Sequence, residues 1–204
     1  MDNIKVKWVV FDYGGVLAEE GFVEGLRAIA RKAGLNERYL FDVTRETIIA
    51  SGYLTGKTLE QSFWKAFREN TGISAADHEL RNEILSRFVL RPWMMELVSD
   101  IRNQGLKTAI LSDQVNWLDE LDARDGFFSY FDRVYNSFHT GLSKDDAATF
   151  EDLYHWLDCS PEDIVFIDDH LPHIKRAKSK GLNAVHFTDR QKFVRDINSY
   201  IAFS

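Results

Sequence analysis

Three short apolar runs in this chain each end in acidic residues. Trp8-Val9-Val10-Phe11 gives way to Asp12-Tyr13-Gly14-Gly15, Leu106 to Leu111 to Ser112-Asp113, and Ile164 to Ile167 to Asp168-Asp169. Between the second and third runs, a Gly141-Leu142-Ser143-Lys144 loop supplies a lysine. Each feature has a plain local explanation. An Asp before two glycines suits a turn, and Ser112-Asp113 or Asp168-Asp169 ahead of a helical stretch suits an N-cap. Their recurrence at the ends of separate apolar runs argues for one shared site, because an open parallel sheet binds ligands at the carboxyl ends of its strands. Four carboxylates and a hydroxyl on one rim repel one another unless a cation sits among them. Hard oxygen donors of this kind select Mg²⁺.

Such a rim needs parallel strands to carry it. The three runs read as buried parallel strands, with weaker ones at Asn183 to Phe187 and Arg133 to Asn136. Polar or Gly residues and then a helical pattern follow, the last helix spanning about Arg190 to Ile201. This alternation predicts an α/β fold built on a doubly wound, Rossmann-like parallel sheet. Between Glu19 and Phe88 no strand-like run occurs. Apolar residues fall instead at helical spacing: Phe22, Leu26, Ile29 and Ala30; Leu40, Val43 and Ile48; Leu59, Phe63, Trp64 and Phe67; Leu80, Ile84, Leu85 and Phe88. Four helices are therefore expected as an insertion, with Gly52 and Gly56 flanking Tyr53-Leu54 between the second and third. Pro92 suits the first turn of the helix that returns the chain to the sheet. The expected division is an α/β core of residues 1–18 and 89–204 and an all-helical unit of residues 19–88.

The 204 residues are 45% hydrophobic and 28% charged, which places the chain among folded proteins and allows one domain with an insertion. Lys and Arg number 25 against 32 Asp and Glu, a net charge of −7, so nucleic acid is not an expected partner. No apolar run approaches the ~18–20 residues of a membrane span. The apolar stretch behind the charged start, Met1 to Lys7, ends at Asp12, too short for a signal peptide. Cys159 is the sole cysteine, which suits a reducing compartment. A cytoplasmic protein with no membrane partner is expected.

Four ordered motifs resemble those of the haloacid dehalogenase-like hydrolase superfamily across essentially the whole chain. Phe11-Asp12-Tyr13-Gly14-Gly15-Val16-Leu17 resembles the first, whose leading Asp is the nucleophile. Ile110-Leu111-Ser112-Asp113 resembles the second, whose hydroxyl holds the phosphoryl group. Gly141-Leu142-Ser143-Lys144 resembles the third, whose Lys orients nucleophile and phosphoryl group. Ile167-Asp168-Asp169 through Ala177 and Gly181 resembles the fourth, whose acidic pair holds Mg²⁺. The insertion resembles the superfamily's helical cap. The Asp-x-Gly-Gly-Val form is similar to a subgroup that includes sugar-phosphate phosphatases and the amino-terminal domain of soluble epoxide hydrolases.

The resemblance implies an Mg²⁺-dependent phosphatase acting on a small phosphorylated metabolite through an aspartyl phosphate. Asp12, Ser112 and Lys144 would be catalytic, and Ser112, Asp113 and Lys144 would bind substrate. Asp12, the Gly14 carbonyl, Asp169 and Asp168 would form the metal site, with Asp168 also placed to hold Lys144. Four positions depart from the family pattern: Gly14 stands where a second Asp usually acts as general acid and base, Asp113 where Asn is usual, Asp145 where Pro is common, and His173 at a customary Asn. An ionised Asp113 would repel phosphate unless turned away. With no acid at position 14, turnover is expected to depend on leaving-group pKa, unless His139, Glu19 or Glu20 supplies the proton. Tyr53, Lys57 and Trp64 are candidates to face the substrate. Two other readings compete: a metal-independent, dehalogenase-like hydrolase in which Asp12 attacks carbon, and a catalytically weak binding protein.

Overall fold

The computed structural model describes residues 6–201, so the outermost residues of the expected core, 1–5 and 202–204, lie outside the described residues. Strands β1 (Trp8–Phe11), β2 (Lys107–Ser112), β3 (Arg133–Asn136), β4 (Ile164–Asp168) and β5 (Asn183–His186) form one sheet in the order β3-β2-β1-β4-β5. Every neighbouring pair is parallel. The apolar runs alternate between two covered faces. Val9, Phe11, Ile110, Val165 and Ile167 join one core, while Trp8, Val10, Ala109, Leu111, Ile164 and Phe166 join the other. This two-sided burial is why the strands read as continuous hydrophobic runs rather than as an alternation.

Among the described residues there are ten α-helices: α1 (Gly21–Ala33), α2 (Glu37–Ala50), α3 (Glu60–Thr71), α4 (Asp77–Leu85), α5 (Pro92–Asn103), α6 (Trp117–Asp125), α7 (Ser137–Thr140), α8 (Ala148–Trp156), α9 (Leu171–Ser179) and α10 (Arg190–Ile197). Helices α5, α6 and α10 contribute Met94, Val98, Leu118, Leu121, Phe193 and Ile197 to the first core, and α8 and α9 contribute Phe150, Leu153, Ile174 and Ala177 to the second. Among the described residues no helix is long and apolar enough to cross a membrane.

The order in which the chain adds strands reverses between β1 and β4, and at that switch point the register sets Phe11 beside Ile167. The next residues, Asp12 and Asp168, are thereby neighbours, with the Asp12 N–H bonded to the Ile167 carbonyl at 2.9 Å.

Helices α1 to α4 lie between β1 and α5 in the chain. Gly25 lets α1 and α4 touch, since a Cβ there would lie 2.6 Å from Ile84 Cα. Residues 17–19 and 89–91 run antiparallel as the two connections to the sheet: the Glu19 N–H bonds the Val89 carbonyl and the Arg91 N–H the Leu17 carbonyl, both at 2.9 Å. A 3-10 turn at Tyr53–Thr55 docks on α7. Its Leu54 carbonyl accepts from the Ser137 hydroxyl at 2.9 Å, and Gly56, at φ 65°, packs where a Cβ would meet the Phe138 carbonyl.

Two helix ends differ from expectation. Helix α10 stops at Ile197 rather than Ile201, where the Ser199 hydroxyl takes the Asp196 carbonyl at 2.6 Å and competes with the helical ladder. Helix α4 stops at Leu85 rather than Phe88, tightened by bonds from the Arg87 and Phe88 N–H groups to Ile84 and Leu85 as the chain turns back to the sheet.

Candidate active site

Asp12, Ser112, Asp113, Lys144 and Asp169, contributed by the ends of three strands and one loop, line a cavity of about 300 Å³ between the sheet rim and helices α1 and α2, with Asp168 packed just behind. Lys144 is 1% exposed. Its ammonium lies 2.9 Å from Asp12 Oδ2 and 2.7 Å from Asp168 Oδ2. Burial opposes that charge, yet Asp12, Asp168 and Asp113 raise its pKa well above the usual lysine value. Both Asp168 oxygens are engaged. Oδ2 also meets His173 Nδ1 at 3.1 Å, and Oδ1 accepts the His170 N–H at 2.7 Å. Burial alone would favour protonated Asp168, but Lys144 and His173 hold it well below the usual carboxylate range.

The other acids sit in the opposite balance. Burial raises Asp12 well above its ordinary value, and Asp168 and Asp169 add to the rise against the pull of Lys144. Burial and then Asp168 raise Asp169. Burial and then Asp169 push Glu20 up to about 7. Oxygen atoms of Asp12, Asp168 and Asp169 all lie within 4.8 Å of one another. Among the described residues, Lys144 is the only Lys or Arg in ion-pair contact with any of them. Several carboxylates sharing one ammonium, with all-oxygen donors, fit a divalent cation such as Mg²⁺. With Asp168 committed to Lys144 and His173, Asp12 and Asp169 are the side chains best able to hold it.

The departures from the family pattern are distributed among separate tasks. Asp113 lines the cavity with both carboxylate oxygens engaged: it accepts the Ser143 hydroxyl at 2.7 Å and the Lys144 N–H at 3.0 and 3.1 Å. It thereby fastens the loop that presents Lys144, and the repulsion expected for an anion there is directed into hydrogen bonds. Asp145 pairs with Arg45 at 2.7 Å and Arg176 at 3.2 Å.

Of the three alternative acids, only Glu20 joins Asp12 in the cavity. Glu19 makes a two-point pair with Arg91 at 2.9 and 3.0 Å, which holds its carboxyl below the ordinary value. His139 is exposed and bonded to Asp119 at 2.7 Å.

Tyr53 and Trp64 do not face the cavity. They are buried with Trp117 where α3 meets α6, the Trp64 and Trp117 rings stacked with centroids 6.0 Å apart and both indole N–H groups donating to Glu60. Lys57 lines a separate groove beside Ser143 and Asp146. Cys159 is half-buried, and burial pushes its thiol up to about 11.

The cavity wall escaped the sequence reading. Phe22, Val23, Phe41, Ile48, Ile49 and Leu54 form its apolar side, with Arg45 near the loop of Asp145. Amphipathic spacing identified these helices but not which apolar residues face a ligand instead of a neighbouring helix.

A family model for haloacid dehalogenase-like hydrolases matches residues 6–181. Bifunctional epoxide hydrolase 2 of Sus scrofa is 22% identical over 209 residues, covering 92% of this chain and 37% of that protein. The chain thus spans little more than a third of that relative. Among solved structures, a HAD family enzyme of Bacteroides thetaiotaomicron in complex with magnesium and inorganic phosphate superposes with a TM-score of 0.71 at 20% identity, covering 90% of this chain and 94% of that one. The L-2-haloacid dehalogenase of Xanthobacter autotrophicus, with chloropropionic acid covalently bound, gives 0.66 at 19% identity over 95% and 83% of the two chains.

Proposed function

Because the chain belongs to the haloacid dehalogenase-like hydrolases, we propose that its reaction is the Mg²⁺-dependent hydrolysis of a small phosphate monoester whose alcohol is largely apolar. One observation carries this reading: Lys144 is buried between Asp12 and Asp168, with Asp169 beside them, at the base of a ligand-sized cavity. Attack on phosphorus uses every part of that arrangement, whereas attack on carbon without metal leaves Asp169 uncompensated.

In the proposed reaction the Asp12 carboxylate attacks phosphorus in line and forms an aspartyl phosphate, which water then cleaves. Lys144 holds the nucleophile by the 2.9 Å contact and offsets charge on the transferred group. The Ser112 hydroxyl, at the end of β2, donates to a phosphate oxygen. Asp12, Asp169 and the Gly14 carbonyl would hold Mg²⁺, which would supply positive charge to offset that of the phosphate. That the Bacteroides neighbour is a complex with magnesium and inorganic phosphate supports Mg²⁺ and a phosphate group as the ligands of this site. Phe22, Phe41, Ile48 and Ile49 offer the alcohol an apolar wall with few hydrogen-bonding groups, which favours an aryl or alkyl ester over a sugar phosphate.

The test is phosphate release from aryl, alkyl and sugar phosphates with Mg²⁺ and with EDTA, run beside halide release from 2-chloropropionate. Mg²⁺-dependent phosphate release, fastest on esters of apolar alcohols, is expected. Metal-independent halide release would establish the carbon-attacking reading, and phosphate binding without turnover would leave a binding protein.

A further inference from the structure

Position 14 is a glycine, yet the space above it is filled. A Cβ on Gly14 would lie 2.9 Å from Oε2 of Glu20 and 3.5 Å from the Phe88 ring. The carboxylate that a side chain at position 14 would have supplied is already present, delivered six residues later in the chain. Glu20 caps α1, and its Oε1 accepts the Val23 N–H at 3.4 Å, which leaves Oε2 on the Gly14 side. Among the described residues no Lys or Arg pairs with it, whereas its neighbour Glu19 is neutralised by Arg91. Glu20 and Asp12 line the same cavity.

From this geometry we propose that Glu20 is the general acid and base of the site. The assignment rests on the phosphatase reading. In the first step the Asp12 oxygen forms a bond to phosphorus, the bond from phosphorus to the ester oxygen breaks, and the Glu20 carboxyl gives its proton to the departing oxygen. In the second, the Glu20 carboxylate takes a proton from water as the water oxygen bonds to phosphorus. The bond from Asp12 to phosphorus then breaks, returning both carboxyl groups to their starting forms and releasing inorganic phosphate. Ester and water become alcohol and phosphate. Because Glu20 stands where the chain passes from the sheet into α1, the proton donor arrives with the same element whose Phe22 and Val23 line the cavity. Glycine at 14 then leaves the Glu20 carboxylate its place, since a side chain there would have to displace Oε2.

The test measures kcat/KM with saturating Mg²⁺ on a series of phosphate esters of graded leaving-group pKa. It compares wild type, Glu20→Gln, Glu20→Ala, Gly14→Asp and the Gly14→Asp/Glu20→Ala double variant. Wild type is expected to show a shallow slope. Glu20→Gln should lose about 10²-fold or more on alkyl phosphates and under about tenfold on nitrophenyl phosphate. The double variant should recover alkyl-phosphate turnover relative to Glu20→Ala, while Gly14→Asp alone should not exceed wild type. A readout free of metal and turnover accompanies it: Gly14→Asp should lower Tm more in the wild-type background, where the new carboxylate displaces and repels that of Glu20, than in Glu20→Ala. A wild-type slope as steep as that of Glu20→Gln, or an equal loss on all esters, overturns the assignment while leaving the phosphatase reading intact. A raised Mg²⁺ requirement in Glu20→Gln with an unchanged slope makes Glu20 a metal contact and overturns it too. No phosphate release by wild type from any ester overturns both.

Discussion

The acidic cavity makes a pH prediction whose sign runs against the usual course of acid denaturation. Glu20 rises from an ordinary 4.5 to about 7 in the folded protein, because burial and Asp169 disfavour its charge. A carboxyl group with a raised folded pKa binds protons more tightly when folded, so stability falls as pH climbs from the unfolded value through the folded one. A rise of that size corresponds to at most about 3 kcal/mol, and partial contact with water brings it nearer ~2 kcal/mol. Asp12 and Asp169 are shifted in the same direction. Asp168 is shifted the other way, but its contribution is lost only in strong acid, below this window. Metal-free protein should therefore melt roughly 4–8 °C lower at pH 8 than at pH 5, taking about 2–4 °C per kcal/mol for a chain of this size. Mg²⁺, held by Asp12 and Asp169, should raise Tm more at pH 8 than at pH 5, where protons compete for those carboxylates. The assay is thermal melting across pH 5–8 in EDTA and in excess Mg²⁺. Metal-free stability that is flat or rises toward pH 8 would refute the picture of carboxylates crowded around one ammonium.

Asp12→Asn should abolish hydrolysis and leave the fold intact; because it removes one buried charge, metal-free Tm at pH 8 should rise, and near wild-type turnover would sink the covalent mechanism. Asp113→Ala frees the Ser143-Lys144 loop of three hydrogen bonds to a carboxylate and should cost about 1.5–3 kcal/mol in urea unfolding together with a fall in kcat. Gly25→Val drives a side chain into Ile84, 2.6 Å from the added Cβ, and should destabilise by at least about 1–3 kcal/mol, measured by the shift in urea midpoint at unchanged m. Replacing residues 19–88 by a short linker would uncover Trp117, which is fully buried. The excised core is expected to associate, and analytical ultracentrifugation showing a well-folded monomer would establish that the helical unit is independent.

The rim was legible because its signal is local. Each β-strand that supplies it is an apolar run ended by an acid, and a parallel sheet aligns those ends whatever happens between them. Strand limits moved by a residue at most, as with Ser112, which closes β2 instead of following it. The hydrogen bonding of Asp113 was not legible, since it depends on a loop thirty residues further on. Glu19 and Glu20 were equal candidates in the sequence. Their separation comes from Arg91, which the α4–α5 connection brings back from 72 residues away to take one and leave the other. The apolar wall was hidden for a different reason: Ile48 and Leu40 lie on the same side of α2 by spacing, but only Ile48 reaches the cavity.

The stack of Trp64 on Trp117 gives the molecule an optical gauge of its own posture. One indole belongs to the helical insertion and the other to a helix of the sheet domain, with ring planes 26° apart and both N–H groups sharing a single carboxylate acceptor. Two chromophores this close couple their transitions, and the coupling depends on their mutual distance and angle. Any parting of the insertion from the sheet would alter the near-ultraviolet circular dichroism and expose indole emission to water. Any such parting can thus be followed in the unlabelled protein, with Trp64→Phe as the silent control.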